Sequence, residues 1–359
     1  MQVPLFATSL APYHERIAER VAEVTASGRY ILGPELDAFE REFAEYLGVG
    51  HVIGVGNGTD ALTIALRALG VGPGDEVVCP SLTFYATAEA IVNAGARPVF
   101  CDVDPETACV TAETVRPLVG ERTKAIVPVH LFGNVAPVPE LRDLGVPVLE
   151  DAAQAAGATL GGARAGALGD AATFSFFPSK NLPCIGDGGA VTTNSDEVAE
   201  RARTLRFHGS RDKKTHTEVG YNSRLDSVQA AVLRLLLPEL DGWNERRRAA
   251  AEAYERAGIG EFVTPLRPVE GAEHVYHLYV ARSDDADDLA AALSERGIGA
   301  RGYYRTPCHR QAPMREYASG DLPATDELAR TIIALPMGPE LGADQAAAVV
   351  AACGARAAA

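Results

Sequence analysis

Between about Gly48 and Asn194, short β-branched runs alternate with longer stretches of helical periodicity, and Gly or Pro stands at the joints. The strand candidates are His51–Val55, Glu76–Cys79, Arg97–Val103, Lys124–Val129, Val146–Leu149, Ala172–Phe176 and Gly189–Thr193, with helical patterns such as Thr59–Leu69 and Thr83–Asn93 between them. Several of these strands are almost wholly apolar, the pattern of strands covered on both faces. Strand and helix repeated in this way predict an α/β domain with a mostly parallel sheet. In such sheets, ligands bind beyond the carboxyl ends of the strands.

After Asp226 the pattern changes. Helices are expected over Ser227–Leu237 and Asn244–Ala257, interrupted by Pro238 and Gly242, followed by a strand at His277–Ala281, a helix at Ala286–Arg296, a strand at Ala300–Tyr304 and two more helices after Thr325. This reads as a smaller C-terminal α+β unit, with the division at 1–237 and 238–359, and the Ala-rich tail Gly354–Ala359 is expected to fray.

A chain of 359 residues can bury a core without crosslinks. Its 33 basic and 48 acidic side chains leave a net charge of −15, which disfavours general binding to nucleic acid or an anionic membrane. A phosphate site must therefore be local, built from backbone N–H groups and a few cations. Cys79, Cys101, Cys109, Cys184, Cys308 and Cys353 form no C-x-x-C pair and have no His at zinc-type spacing, so reduced thiols and no metal are expected. The start Met1-Gln2-Val3-Pro4-Leu5-Phe6 lacks a basic leader, and no apolar run approaches the roughly 18 residues of a membrane helix; both point to a cytoplasmic protein.

Three segments carry candidate chemistry. Gly54-Val55-Gly56-Asn57-Gly58-Thr59-Asp60-Ala61 runs from a strand through glycines into a helix, where exposed N–H groups and the helix dipole can hold phosphate. It also suits a tight turn, and its spacing departs from the dinucleotide fingerprint of a nicotinamide-dependent dehydrogenase. Glu150-Asp151-Ala152-Ala153-Gln154 ends an apolar strand with carboxylates that can bind magnesium, cap a helix or face a cationic ring. Phe174-Ser175-Phe176-Phe177-Pro178-Ser179-Lys180-Asn181 sets one lysine among aromatics ahead of the cluster Gly186-Asp187-Gly188-Gly189. Such surroundings can desolvate an ammonium group and lower its pKa, as a nucleophilic lysine requires.

With all three in this order, the chain resembles the DegT/DnrJ/EryC1/StrS family of sugar aminotransferases. The matching segments are Gly56–Leu62, Pro80–Ile91, Glu150–Ala158, Gly169–Val191 and Gly220–Leu233, and the likeness extends over nearly the whole chain. The resemblance implies the aspartate-aminotransferase-like fold, pyridoxal-phosphate fold type I, with a seven-stranded, mostly parallel sheet in the large domain. It also implies pyridoxal 5'-phosphate as cofactor, pyridoxamine 5'-phosphate as its aminated form, and a homodimer with shared active sites. By the same resemblance, Lys180 would bind the cofactor covalently and then carry the proton. Asp151 would face the pyridine nitrogen, Gln154 would lie near the phenolic oxygen and Phe84 would stack on the ring. Gly58, Thr59 and Ser175 would hold the phosphate, and Asn222 would reach the phosphate of the neighbouring subunit.

The family moves an amino group, usually from glutamate or glutamine, onto a keto-sugar attached to a nucleoside diphosphate. Members acting on 3-keto sugars often carry N-S-R-L-D-x-x-Q-A-A with W-N further on, as do Asn222–Ala231 and Trp243-Asn244 here. That leans toward C3 amination of a dTDP or UDP sugar, with a 4-keto sugar or a keto-cyclitol as the alternative. The basic loop containing Lys213, Lys214 and His216 could meet the diphosphate, and Tyr304 and His309 could lie near the sugar. Two departures bear on the substrate alone: Phe177 replaces a His or Tyr, and Leu182-Pro183-Cys184-Ile185 replaces an LGAL-like stretch. Lys180 itself weighs against the family's dehydratase branch, where a histidine stands instead.

Overall fold

The structure, a computed structural model, describes residues 2–7 and 10–357. Four strands form one sheet in the order His51–Val55, Gly189–Thr193, Ala171–Ser175, Leu149–Asp151. The first two contacts are antiparallel and the third is parallel. Arg97–Cys101, Glu76–Pro80 and Thr123–Ile126 form a parallel sheet with Glu76–Pro80 at its centre. Two isolated parallel bridges, Ile126–Val148 and Val129–Asp151, run between the two sheets.

The strands are covered as their apolar character demands. On one side the helices Gly58–Ala68, Ala86–Asn93 and Asp196–Leu205 bury Ile64, Leu66, Ile91 and Leu205 against Ile53, Val77 and Val191. Elsewhere the helices His14–Ser27 and Pro34–Leu47 pack on Ser227–Leu236. Phe43 meets Phe174 edge-on at 5.1 Å, and Phe39 meets Phe176 at 5.4 Å. The approach is close enough to require Gly54, because a Cβ there would lie 2.7 Å from Leu36 Cδ1. Phe174 faces these helices, so period-2 alternation turns Ser175 to the opposite face of the sheet.

The C-terminal part contains the antiparallel strands Thr264–Pro265, Tyr279–Arg282 and Ile332–Leu335 and the helices Ala286–Glu295, Pro323–Thr331 and Ala343–Ala357. Its core, with Leu289, Leu293, Ile333 and Val349, also takes in Val3 and Ala7 from the start of the chain. The helix Leu240–Arg256 serves two cores, Leu240 and Trp243 packing in one and Ala250 and Tyr254 in the other.

Several elements differ from the expectation. Leu149–Asp151 replaces Val146–Leu149, since Pro147 has no N–H to donate, and Glu150 and Asp151 therefore lie inside the strand. Ala300–Tyr304 is no strand, since only Arg301 makes a bridge, to Ala334; the strand is Ile332–Leu335, in a stretch expected to be helical. Pro238 sits in a short 3₁₀ turn, while Gly242 is absorbed into the helix Leu240–Arg256. The last helix extends through residue 357, while Ala358 and Ala359, the end of the tail expected to fray, lie outside the described residues, as does Met1. All six cysteines are buried and unpaired, no cluster of metal-ligating side chains occurs among the described residues, and no helix there is long and apolar enough to cross a membrane.

The strand Leu149–Asp151 is fastened from behind by Glu150, which is fully buried. Its carboxylate accepts hydrogen bonds from the backbone N–H groups of Gly166 (2.9 Å), Leu168 (2.8 Å) and Gly169 (2.7 Å). It also pairs with His130 Nε2 at 2.8 Å; His130 Nδ1 accepts from Ala136 N–H, so Nε2 is the donating nitrogen. Glu150→Gln puts an NH2 group among these donors and leaves at least one buried N–H without an acceptor. We expect a loss of about 3 kcal/mol, read as a lower denaturant midpoint at unchanged slope.

Candidate active site

A cavity of about 760 Å³ opens at the carboxyl ends of the strands Leu149–Asp151 and Ala171–Ser175. Gly58, Thr59, Phe84, Asp151, Gln154, Ser175, Lys180 and Tyr304 all line it. The parallel pair ends in the same place and so brings Asp151 and Ser175 together, while Gly58 and Tyr304 reach the same cavity from distant parts of the chain.

One wall is the start of the helix Gly58–Ala68. Asn57 caps it by accepting from Asp60 N–H at 2.8 Å, and Ala61 N–H bonds to Asn57 O at 3.0 Å. The N–H groups of Gly58 and Thr59 precede the intrahelical ladder and have no partner among the described residues, so they remain available to an anion. Gly58 is required here, because a Cβ would stand 2.7 Å from Ser175 Cβ. The Ser175 hydroxyl completes this corner.

The floor carries Asp151. Its Oδ2 accepts from Thr87 Oγ1 at 2.8 Å, and its Oδ1 accepts from Ala153 N–H at 3.2 Å. Burial pushes its carboxyl pKa up, against the opposing pull of these hydrogen bonds and of Lys180 and His130. Lys180 is half-buried in the chain that follows the next strand, held by a bond from its own N–H to Phe177 O (2.8 Å). Desolvation lowers its ammonium pKa to about 8, with Asp151 opposing that shift. No direct ion pair joins the two, so the attraction acts through the cavity.

Two aromatic rings stand open here: Phe84, 57% exposed, and Phe177, 51% exposed. Gln154 is nearly buried and both of its ends are engaged, Oε1 by Phe132 N–H (2.7 Å) and Nε2 by the Tyr304 hydroxyl (3.2 Å). Tyr304 in turn lies 6.1 Å from the Phe84 ring. Lys180 is the sole Lys or Arg among the described lining residues, whereas Asp60, Glu89, Asp151 and Asp187 are acidic.

Other expected residues lie elsewhere. Asn222 is exposed and bridges to Phe207. Lys213, with its ammonium 5.0 Å from the Phe207 ring centre, Lys214 and His216 stand on an exposed loop braced by Asp212, which accepts from the N–H groups of Lys214 and Thr215. His309 is drawn off the cavity by Ser81, whose Oγ lies 2.6 Å from Nδ1. Conversely, Thr87 and His277 line the cavity without having been singled out. Thr87 falls in the matched segment Pro80–Ile91, one helical turn from Thr83, and that spacing was its available signal. His277 had none, since the C-terminal part brings it from almost a hundred residues beyond Lys180.

The geometry agrees with the comparisons. The model of the DegT/DnrJ/EryC1/StrS aminotransferase family matches residues 12–353. A Geobacillus stearothermophilus protein named a pleiotropic regulatory protein is 44% identical, over 98% of this chain and 97% of its own. The dTDP-3-amino-3,4,6-trideoxy-alpha-D-glucose transaminase of Streptomyces venezuelae is also 44% identical, over 95% and 92%. Among solved structures, S. venezuelae DesV in complex with a ketimine intermediate superposes with a TM-score of 0.94 at 42% identity, covering 98% of this chain and 97% of that one. A match along almost the full length, with the lysine, carboxylate and helix start assembled on one cavity, leads to one conclusion: the chain belongs to the DegT/DnrJ/EryC1/StrS aminotransferase family.

Proposed function

We propose that the protein is a pyridoxal-phosphate-dependent aminotransferase of the aspartate-aminotransferase-like fold, acting on a nucleotide-linked keto-sugar. Glutamate or glutamine supplies the amino group, and the acceptor is the C3 carbonyl of a dTDP or UDP sugar. The observation that carries this reading is the joint placement of Lys180, Asp151 and the N–H groups of Gly58 and Thr59 around one cavity. The donor set suits the cofactor: a lysine with a lowered pKa for its aldehyde, a buried carboxylate for its ring nitrogen, and a glycine-cleared helix start for its phosphate. Bound there, pyridoxal phosphate supplies an electron sink for the carbon that loses its proton.

The chain's own residues do the rest. Lys180 Nζ, as a free amine, binds the cofactor and, once displaced, takes up and returns the substrate proton. Asp151, kept in place by Thr87 and Ala153, holds a proton on the ring nitrogen by charge attraction. Ser175 joins Gly58 and Thr59 at the phosphate, and Phe84 offers its open face to the ring. Gln154 fixes Tyr304 beside it. The exposed positions of Asn222, Lys213, Lys214 and His216 suit contacts with a second subunit's phosphate and substrate diphosphate, and the working unit of this proposal is a homodimer. His309, held by Ser81, takes part only if that contact opens. The two-domain division near residue 237 belongs to the same proposal.

The C3 preference rests on the Asn222–Ala231 and Trp243-Asn244 segments and is favoured by the 3-amino sugar in the name of the S. venezuelae relative. With matched 3-keto and 4-keto nucleotide sugars, NMR of the product is expected to place nitrogen on C3; nitrogen on C4 would overturn the preference without touching the chemistry.

Borohydride reduction of the loaded protein followed by peptide mapping should leave the pyridoxyl group on Lys180. A folded Lys180→Ala variant should lose turnover by at least about a thousandfold. An adduct elsewhere, or conversion of no amino donor, would leave a regulatory protein as the better description.

The pH dependence follows from the lysine. Only the unprotonated amine attacks an aldehyde, so the rate of cofactor uptake should rise with pH and level off above about 8. Asp151 raises the lysine pKa, so Asp151→Asn should move that midpoint downward.

A further inference from the structure

Beside Lys180 runs a line of three buried side chains: Asn244, Asn181 and His277, none more than 4% exposed. Asn244 Nδ2 donates to Ala156 O at 2.9 Å, and its Oδ1 accepts from Asn181 Nδ2 at 2.8 Å. Asn181 Nδ2 also donates to Val275 O at 3.0 Å, and Asn181 Oδ1 lies 3.2 Å from His277 Nδ1.

Their polarity is determined. A backbone carbonyl can only accept, so Ala156 O and Val275 O each decide which end of the adjoining carboxamide is the NH2 group. The atom left facing the imidazole is therefore an oxygen, and Nδ1 must carry the hydrogen. His277 Nε2 is then a bare lone pair. The ring lines the same cavity as Lys180, and Nε2 has no hydrogen-bond partner among the described residues. The charged neighbours acting on the ring are Lys180 and the buried Arg247, whose Nη1 donates to Tyr276 O at 3.1 Å. Burial above all, and then the two cations, hold the imidazole well below its ordinary pKa, which keeps the ring neutral while Lys180 titrates.

We propose that His277 is a positioning residue whose Nε2, unpartnered among the described residues, accepts a hydrogen bond from Lys180 Nζ once that amine is released from the cofactor, and so turns the amine's lone pair toward the substrate carbon that yields its proton. The proposal rests on the aminotransferase reading. The proton leaves the donor's α-carbon for Lys180 Nζ, making it an ammonium, and is later returned from that atom. His277 gains and loses nothing, and Asn181 and Asn244 keep its acceptor bare.

Two substitutions separate this role from packing. Asn at position 277 retains a donor near Nδ1 and removes Nε2; Gln retains an acceptor near Nε2. The full chain is first loaded with pyridoxal phosphate and reduced with borohydride: labelling at Lys180 in the unaltered protein upholds the aminotransferase reading, and its absence overturns both. The amino-donor half-reaction is then followed with L-glutamate and its 2-deuterio form, and the pH dependence of Lys180 amine labelling is mapped in each variant. His277→Asn should slow the half-reaction about ten- to hundredfold, with donor KM little changed and a larger deuterium effect. Its Lys180 labelling midpoint should fall by about half a pH unit, because a neutral acceptor favours the charged amine. His277→Gln should restore most of both. Unchanged rates and midpoint in His277→Asn would overturn the proposal. So would equal impairment of both variants with lowered melting temperatures.

Discussion

Two adjacent carboxylates, buried in a strand of three residues, are the constraint on which the site depends. Neighbouring strand residues face opposite ways, so Glu150 and Asp151 serve different masters. Glu150 points into the core and is satisfied by three backbone N–H groups and His130. Asp151 points to the cavity, where Thr87 and Ala153 hold it while one side remains for a ligand. Burying two such groups side by side is tolerable only because each has its own set of donors. The parallel bridge to Val129 and the ladder to Ala171–Ser175 then bring Ser175 and Lys180 to the same rim.

Much of this was legible in the residues, for reasons that differ by element. His51–Val55 and Gly189–Thr193 fall where expected, because both are short β-branched runs bounded by Gly, Asn or Ser. Their pairing with each other, antiparallel and remote, is invisible to any local pattern. Ile332–Leu335 is buried at all four positions and so shows neither a period of 2 nor one of 3.6; its apolar run reads equally as a helix. Ala300–Tyr304 fails as a strand because the edge of Ile332–Leu335 is met only at Arg301.

The site divides in the same way. Gly58, Asp151 and Lys180 stand at joints between elements, where residue type and fold position inform each other. Thr87 acts through a carboxylate 64 positions away and His277 through an amide 96 positions away, so their meaning appears only once the chain is folded. His309 illustrates the converse: its place near Tyr303 and Tyr304 suggested a share in the cavity, but a strong contact with Ser81 settles its ring elsewhere.

The acidic rim has a consequence for encounter. A phosphate-bearing ligand approaching a body of net charge −15 meets repulsion before it meets the helix start at Gly58. Dissolved ions confine that repulsion to within about 8 Å at physiological ionic strength. On the proposed reading, capture is therefore decided over the last few ångströms, where directed N–H dipoles would have to outweigh the diffuse field. A corner of that kind would select anions by fit and not by charge alone.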